Sequence, residues 1–295
     1  MCCDDQSHSQ PVPGRRAALG FLAASLVTGL GACAVPITQT AQSTPVPNSP
    51  TRGPLEAEPL TIGDAPSSGA ASPSISATPS AAKKRIRRSF IPDYSLPPIQ
   101  GGLAPVITKI PTAHPVVFLT IDDGVVKNPE MVQLMAQYDY PATLFLTSST
   151  VRDNPGFFTA FKAQGSLVEN HTVSHNVKMA TQWSYQQQLA DIQGMQQFAQ
   201  QQYGRTPVLF RPPGGAYSNA MRKAVADAGL KAIVTWEAKA NSGRMDYQYG
   251  NSLRPGDIVL MHFRQEFAAD LAAFRQAQLA AGLEVVLLEN FLGVA

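Results

Sequence analysis

The chain has 295 residues, 44% of them apolar and only 15% charged, a length that suits one large domain or two small ones. Its 23 Lys and Arg stand against 21 Asp and Glu, too even a balance for a dedicated nucleic-acid binder. Cys2, Cys3 and Cys33 are the three cysteines, so nothing folded beyond residue 33 rests on a disulfide framework or a cysteine metal site.

Arg15 and Arg16 precede sixteen uncharged residues, Ala17 to Ala32, mostly Ala, Leu, Gly and Val. That run is short of the ~20 residues of a transmembrane helix and matches the core of a signal peptide. It ends in Leu30-Gly31-Ala32-Cys33, which resembles the bacterial lipobox, where the signal is cut and the cysteine sulfur acylated. Gly14-Arg15-Arg16-Ala17-Ala18-Leu19 also fits twin-arginine export, so that route and the general one both stay open. An ordinary cleaved signal with an incidental Cys33 is the plainer alternative. Residues 1–33 are therefore expected to be a lipoprotein-type signal peptide. The protein would be exported and lipid-anchored on the outer face of the cytoplasmic membrane or cell envelope.

Ala34 to Ser80 holds nine prolines and eight serines, and no aromatic occurs between Phe21 and Phe90. Such a stretch cannot bury enough apolar surface to offset its chain entropy. Residues 34–89 read as a disordered, proline-stiffened linker. It closes on Lys83-Lys84-Arg85-Ile86-Arg87-Arg88, either a contact for anionic lipid or wall polymer or a solvated boundary run. Residues 1–89 carry eight Lys and Arg against five Asp and Glu, whereas 90–295 carry fifteen against sixteen. The predicted domain is thus nearly neutral.

Within 90–295 the first 25 residues are proline-rich and are expected to wrap the domain edge. Strand-like runs follow at Val116–Ile121, Thr143–Thr147, Leu167–Val168, Val208–Phe210, Ala232–Thr235, Ile258–Met261 and Val285–Leu288. Helical patterns alternate with them at Pro129–Tyr138, Pro155–Gln164, Trp183–Tyr203, Ser218–Ala228 and Glu266–Ala281. Near-continuous apolar strands alternating with helices predict a parallel α/β sheet covered by helices. Seven strands suit a small or distorted α/β barrel, with an open doubly wound sheet as the alternative. The Gln-rich stretch Gln186–Gln202 reads as an exposed helix face over a narrow buried stripe of Leu189, Ile192, Met195, Gln196 and Ala199.

Reactive side chains fall where these strands end. Asp122 and Asp123 follow the first, His171 the third, Arg211 the fourth, Trp236 the fifth and His262 the sixth. In an α/β barrel those positions share one rim, the place where active sites gather. His171-Thr172-Val173-Ser174-His175 sets two imidazoles at i and i+4, a spacing that on one helical turn lets them share a metal. A carboxylate is the natural third ligand, and Asp122-Asp123-Gly124 offers two. Adjacent carboxylates repel, so one is expected to bind metal and the other to take a proton from water. Asn170 beside the pair is a polar neighbour. Trp236 reads as core before ligand platform, and His114 has no visible partner.

Thr120-Ile121-Asp122-Asp123-Gly124, His171 to His175, Arg211-Pro212-Pro213-Gly214-Gly215 and Leu260-Met261-His262 resemble, in order and spacing, the successive motifs of the polysaccharide deacetylases. These are the NodB-homology domains of carbohydrate esterase family 4, and the resemblance covers roughly 115–290. It implies a distorted (β/α)7 barrel and a metal-dependent hydrolase that removes N-acetyl groups from a cell-wall or surface glycan such as peptidoglycan or a chitin-like polymer. By the same resemblance Asp123, His171 and His175 would bind one divalent ion, zinc foremost, with cobalt or another transition metal as alternatives. Asp122 would be the general base, Arg211 would orient it, Gly214 would lie in the oxyanion-stabilising turn, and His262 would be the general acid. Neither nucleic acid nor a protein partner is implied.

Two positions depart from the family pattern. Gly214 stands where an aromatic is usual, unless Tyr217 substitutes. The fourth motif, Trp236-Glu237-Ala238-Lys239-Ala240-Asn241, lacks its usual Asp pattern, so Glu237 or Asp246 becomes the candidate partner of His262. Competing functions are an O-acetyl esterase or small-amide hydrolase on the same site, and a non-catalytic glycan-binding lipoprotein. A serine nucleophile elbow is absent, and with no cysteine in the domain a thiol nucleophile is excluded.

Overall fold

The computed structural model describes residues 88–295, so the expected signal peptide, Cys33 and nearly all of the linker lie outside the described residues. The strands are β1 (Val106–Ile107), β2 (Val116–Asp123), β3 (Thr143–Leu146), β4 (Leu167–Asn170), β5 (Leu209–Phe210), β6 (Ala232–Val234), β7 (Ala238–Asn241), β8 (Arg244–Tyr247), β9 (Ile258–His262) and β10 (Glu284–Val285). The helices are α1 (Pro129–Tyr138), α2 (Ser148–Val151), α3 (Thr159–Ala163), α4 (Met179–Gln182), α5 (Tyr185–Tyr203), α6 (Asn219–Asp227), α7 (Phe267–Ala280) and α8 (Leu288–Phe291).

The strands form one sheet in the order β1-β6-β5-β4-β3-β2-β9-β7-β8, with β10 beside the start of β2. Every pairing is parallel except the β7–β8 hairpin. Consecutive residues of each strand go to opposite faces, as a period of two requires. Val117, Leu119 and Ile121 of β2 join Met131, Met135, Leu271 and Phe274 of the covering helices. Val116 and Phe118 turn the other way, onto Phe145, Leu209, Val234 and Ile258. The sheet is curled around that inner cluster. Arg211, just after β5, bonds Thr120 and Asp122 of β2, three strands away in the order, and the carbonyl of Val234 on β6. A flat sheet does not allow that reach. The architecture is the expected distorted α/β barrel, curled without pairing its edge strands β1 and β8.

Four local expectations are corrected. Val285–Leu288 is not one strand: after β10 the chain turns inward, and Leu288 and Phe291 of α8 fill the inner cluster. Pro155–Gln164 begins as a single 3-10 turn, Pro155–Phe158, before α3. The 90–114 segment adds an edge strand, β1 on β6. It is tied down by Asp93, which accepts from Thr112 and Ala113, and by His114, whose Nε2 meets Ile91 O at 2.7 Å. Finally, the buried stripe of α5 includes Gln196 as expected but also takes in Gln188, while Leu189 is only half-buried. Gln196 is buried and bonds Asn170 and Pro207 O, and Gln188 is buried against Trp183 O.

Candidate active site

Asp122 and Asp123 end β2 and ought to point to opposite faces. They do not, because Asp123 takes a left-handed φ of 74°. For a non-glycine residue that costs about 1–3 kcal/mol. The distortion is held by its carbonyl, which accepts from Thr147 N at 3.1 Å and Thr150 Oγ1 at 2.6 Å. Gly124 follows at φ 88°, and a Cβ there would lie 2.3 Å from Val151 Cγ1. Glycine is therefore required twice, for the turn and for the space. The result brings Asp122 Oδ2 and Asp123 Oδ1 to 3.7 and 3.4 Å from the same atom, His171 Nε2.

The two histidines meet, but not on a helix. Residues 171–175 are an irregular loop with left-handed Thr172 and His175, at φ 75° and 53°. The expected helical turn is thus corrected: the chain after β4 folds back on itself, and the ring centroids lie 4.9 Å apart. His171 Nδ1 faces the Arg211 carbonyl at 2.7 Å, which leaves Nε2 directed at the carboxylates. His175 Nε2 sits 3.0 Å from Asp123 Oδ1.

Asp123, His171 and His175 present donor atoms all within 4.8 Å of one another. Asp123 Oδ1 is buried and makes no hydrogen bond among the described residues, although two imidazole nitrogens stand within 3.4 Å. A carboxylate oxygen in that position, with ring nitrogens turned towards it, fits a divalent cation shared by all three. Each histidine in such a site needs its second nitrogen engaged, and His171 satisfies this with a backbone carbonyl. Burial opposes ionisation of Asp123, but the two imidazoles outweigh it and hold its carboxyl well below the ordinary range. In return the Asp123 carboxylate pushes His175 up, against burial.

Arg211 is fully buried and organises the second half of the site. Its Nη1 donates to Asp122 Oδ1 and Thr120 Oγ1, each at 2.7 Å, while Nε and Nη2 donate to the carbonyls of Val234 and Thr235. The guanidinium stacks 4.3 Å above the Phe145 ring. Burial pulls it below its ordinary value even with Asp122 adjacent. Thr120 was not anticipated, although its place two residues before Asp122 on one strand puts both on the same face. Asp122 keeps Oδ2 free of Arg211 and turned towards His171.

His262 ends β9 directly opposite Asp122 in the sheet register. Burial lowers its pKa despite the nearby Asp122 and Asp123 charges, and its Nδ1 has no hydrogen-bond partner among the described residues. Neither expected partner reaches it: Glu237 pairs with Arg254, and Asp246 lies by Lys239 and Arg244. Gly214 is exposed at φ 67°, with the Val177 side chain 3.5 Å from where its Cβ would be. Gly215 is tight against Trp236, and its N–H donates to Pro212 O. Trp236 is half-buried beneath that turn, 5.7 Å from the Arg211 guanidinium, so it supports the motif from below. Tyr217 is exposed beyond the turn.

The six residues named for metal and proton chemistry are therefore gathered on the carboxyl ends of β2, β4, β5 and β9. The family model described as polysaccharide deacetylase matches residues 109–233, a span that holds the first three motifs and stops short of His262. An uncharacterized protein of Streptomyces coelicolor is 36% identical over 64% of this chain and 78% of its own. A peptidoglycan-N-acetylglucosamine deacetylase of Bacillus cereus is 29% identical over 53% of this chain and 76% of its own. Among solved structures, the chitin deacetylase of the fungal pathogen Colletotrichum lindemuthianum superposes with a TM-score of 0.57 at 18% identity, covering 65% of this chain and 93% of that one. That likeness bears on the fold, while the family-model match and the sequence relatives bear on descent. With Asp122, Asp123, His171, His175 and Arg211 inside the matched span, the chain belongs to the polysaccharide deacetylase family.

Proposed function

We propose that the protein is a metal-dependent hydrolase that removes N-acetyl groups from a cell-wall or surface glycan, peptidoglycan or a chitin-like polymer, releasing acetate. The observation that carries this reading is the buried, unbonded Asp123 Oδ1 between two imidazoles, one side chain away from the Asp122–Arg211 pair. A divalent ion, zinc by its match to two histidines and one carboxylate, or cobalt or another transition metal, would be held by Asp123, His171 and His175 and would polarise the acetamide carbonyl and acidify the attacking water.

The remaining steps belong to the chain. Asp122 accepts the water proton at Oδ2, because Oδ1 is already bonded to Arg211. Arg211 fixes that carboxylate in orientation and supplies its counter-charge. The N–H of Gly214 is the turn's donor to the developing oxyanion, since Gly215 is committed to Pro212. His262, across the strand pair from Asp122, gives a proton to the leaving nitrogen. The Arg15–Cys33 pattern extends the reading to an exported enzyme, anchored by lipid at Cys33 and reaching its polymer along the 34–89 linker.

A second reading, hydrolysis of O-acetyl esters, draws on the unpartnered Nδ1 of His262. An alcohol leaves with less help from an acid than an amine does, so an unsupported histidine suits an ester better. One experiment separates the two. Acetate release by the purified protein is measured from acetylated chitooligosaccharides, peptidoglycan and an O-acetylated xylan, as isolated, after chelation, and after zinc or cobalt is added back. Release from the N-acetylated glycans that vanishes with chelator and returns with metal supports the proposal. Release from the ester alone replaces it with the second reading, and release indifferent to chelator removes the metal.

A further inference from the structure

The loop that carries His171 and His175 is costly to hold. Thr172 and His175 both occupy left-handed backbone, at φ 75° and 53°, where a non-glycine residue persists only when its surroundings over-determine it. One flank is the start of α2: Ser148 N and Ser149 N donate to the carbonyls of Thr172 and Val173 at 3.2 and 3.1 Å. Thr147 Oγ1 donates to His171 O at 2.9 Å. Inside the loop, Asn170 Oδ1 accepts from Thr172 N and Thr172 Oγ1 from His175 N, both at 2.9 Å. These contacts leave the N–H groups of Val173 and Ser174, midway between the two histidines, to be met from elsewhere.

They are met by Asp191 of α5. Its Oδ2 accepts from Val173 N at 3.1 Å and, more weakly, from Ser174 N at 3.4 Å. The same helix approaches the loop closely at Gly194, where a Cβ would lie 2.8 Å from Val173 Cγ2. It is also tied to the loop's root, since Asn170 Nδ2 donates to Ile192 O and Gln196 Oε1, each at 2.9 Å. The helix is a rigid support: it runs 19 residues and opens with a capping box of Ser184 and Gln187. A carboxylate on that support, accepting from consecutive backbone N–H groups, fixes both the position and the curvature of the loop.

We propose that Asp191 is a positioning residue for the metal-ligating loop, holding the backbone between His171 and His175 so that both Nε2 atoms face Asp123. The proposal rests on the metal reading given above and touches no reacting atom. Groups one step outside a metal's ligands alter affinity by about 10–100-fold when removed.

The test compares the full chain with Asp191→Leu, which keeps approximate shape and removes both acceptors, and Asp191→Asn, which keeps one oxygen. Zinc affinity of the metal-free proteins is measured calorimetrically, alongside thermal melting and amide hydrogen exchange over residues 171–175. The expected result is zinc binding weakened about 10–100-fold in Asp191→Leu, with most of the loss recovered in Asp191→Asn. Exchange of the loop amides should rise while those of α5 stay protected. Wild-type zinc affinity and loop exchange in Asp191→Leu would overturn the proposal. So would a melting temperature and exchange pattern that collapse across the whole domain, because Asp191 would then serve the fold and not the loop. If the wild-type protein binds no zinc, cobalt or other divalent transition metal, the metal reading itself fails and this proposal fails with it.

Discussion

Asp122 and Glu289 are both buried carboxylates inside one curled sheet, yet their surroundings treat them in opposite ways. Asp122, at the rim, has the Arg211 guanidinium 2.7 Å away, and Arg211 is itself bonded to Thr120 and two carbonyls. Glu289 comes in on α8, deeper in the barrel, and receives one hydroxyl, Thr143 Oγ1 at 2.7 Å, while its other oxygen has no partner among the described residues. Burial, and next the charge of Glu169, push Glu289 up to about 8. Glu169 meets Arg205 and the N–H groups of Val208 and Leu209, but burial still raises it. Depth alone does not separate the two regions, since Asp122, Glu169 and Glu289 are all buried. What separates them is the counter-charge: Arg211 is fully buried and directs all three of its nitrogens into bonds, whereas the deep pair shares Arg205, which is partly exposed and pairs with Glu169 alone.

The largest expected effect comes from neutralising the rim. Asp122→Asn should leave metal content near one ion per chain and lower acetate release by about 10²–10⁴-fold, the range a general base supplies. His175→Ala should instead lose the metal, read as stoichiometry by elemental analysis. Activity near wild type in Asp122→Asn would remove the assigned base, and full metal in His175→Ala would remove that ligand.

Arg211→Met makes Asp122 resemble Glu289, a buried carboxylate with no cation against it. The expected cost is about 3–5 kcal/mol of stability, read from the denaturant midpoint at pH 7. Asp122 would also lose the donor that fixes its orientation, so activity should fall as well. A variant as stable as wild type would mean that Arg211 is replaceable by any side chain that fills the space over Phe145.

Glu289→Gln sharpens the comparison from the other end. The carboxyl ordinarily titrates at 4.5 and here at about 8, so the folded state binds the proton more tightly than the unfolded one. Stability from this group is fully present below about pH 4.5 and is lost as pH rises to about 8. The unfolding free energy of the wild type should therefore fall between pH 5 and pH 8, by an amount on the order of a few kcal/mol. Gln keeps an oxygen for Thr143 and cannot ionise, so the variant should flatten that slope and be the more stable protein at pH 8. Parallel pH curves for the two proteins would show that Glu289 is ionised or hydrated in the folded state.

The rim was legible in the sequence and the deep pair was not, for one physical reason. A polar residue that ends an apolar strand interrupts a pattern, as Asp122 does after Val116–Ile121. Glu169 lies inside a short strand and Glu289 in a four-residue helix, where a carboxylate looks like ordinary solvated surface. The β7–β8 hairpin was missed because its buried residues are only Ala238 and Ala240, alternating with Lys239 and Asn241. Its turn signal was present, since Ser242 and Gly243 adopt φ of 54° and 72° between the strands, the conformation that two-residue hairpins favour. The His171–His175 pair was found through a helical spacing that the chain does not use. The spacing held because a loop that turns back on itself also brings residues four apart together. Asp191 carried no signal in sequence, because its partners are backbone N–H groups and its distance along the chain is set only by the packing of α5.

The smallest expected effect concerns the unsupported histidine. Sequence reasoning left Glu237 and Asp246 as candidate partners for His262, and each is engaged elsewhere, with Arg254 and with Lys239 and Arg244. If His262 works without a carboxylate, Glu237→Gln and Asp246→Asn should each keep acetate release within about twofold, because both carboxylates are engaged by other cations away from His262. Their effect on His262 would be only a distant, screened charge. The more sensitive readout is the pH dependence of release, where the limb belonging to the acid should stay where it is in both variants. A limb displaced in one variant alone would identify that residue as the partner of His262. The rim would then gain a second carboxylate held by its donors, and its contrast with Glu289 would extend to both ends of the proton path.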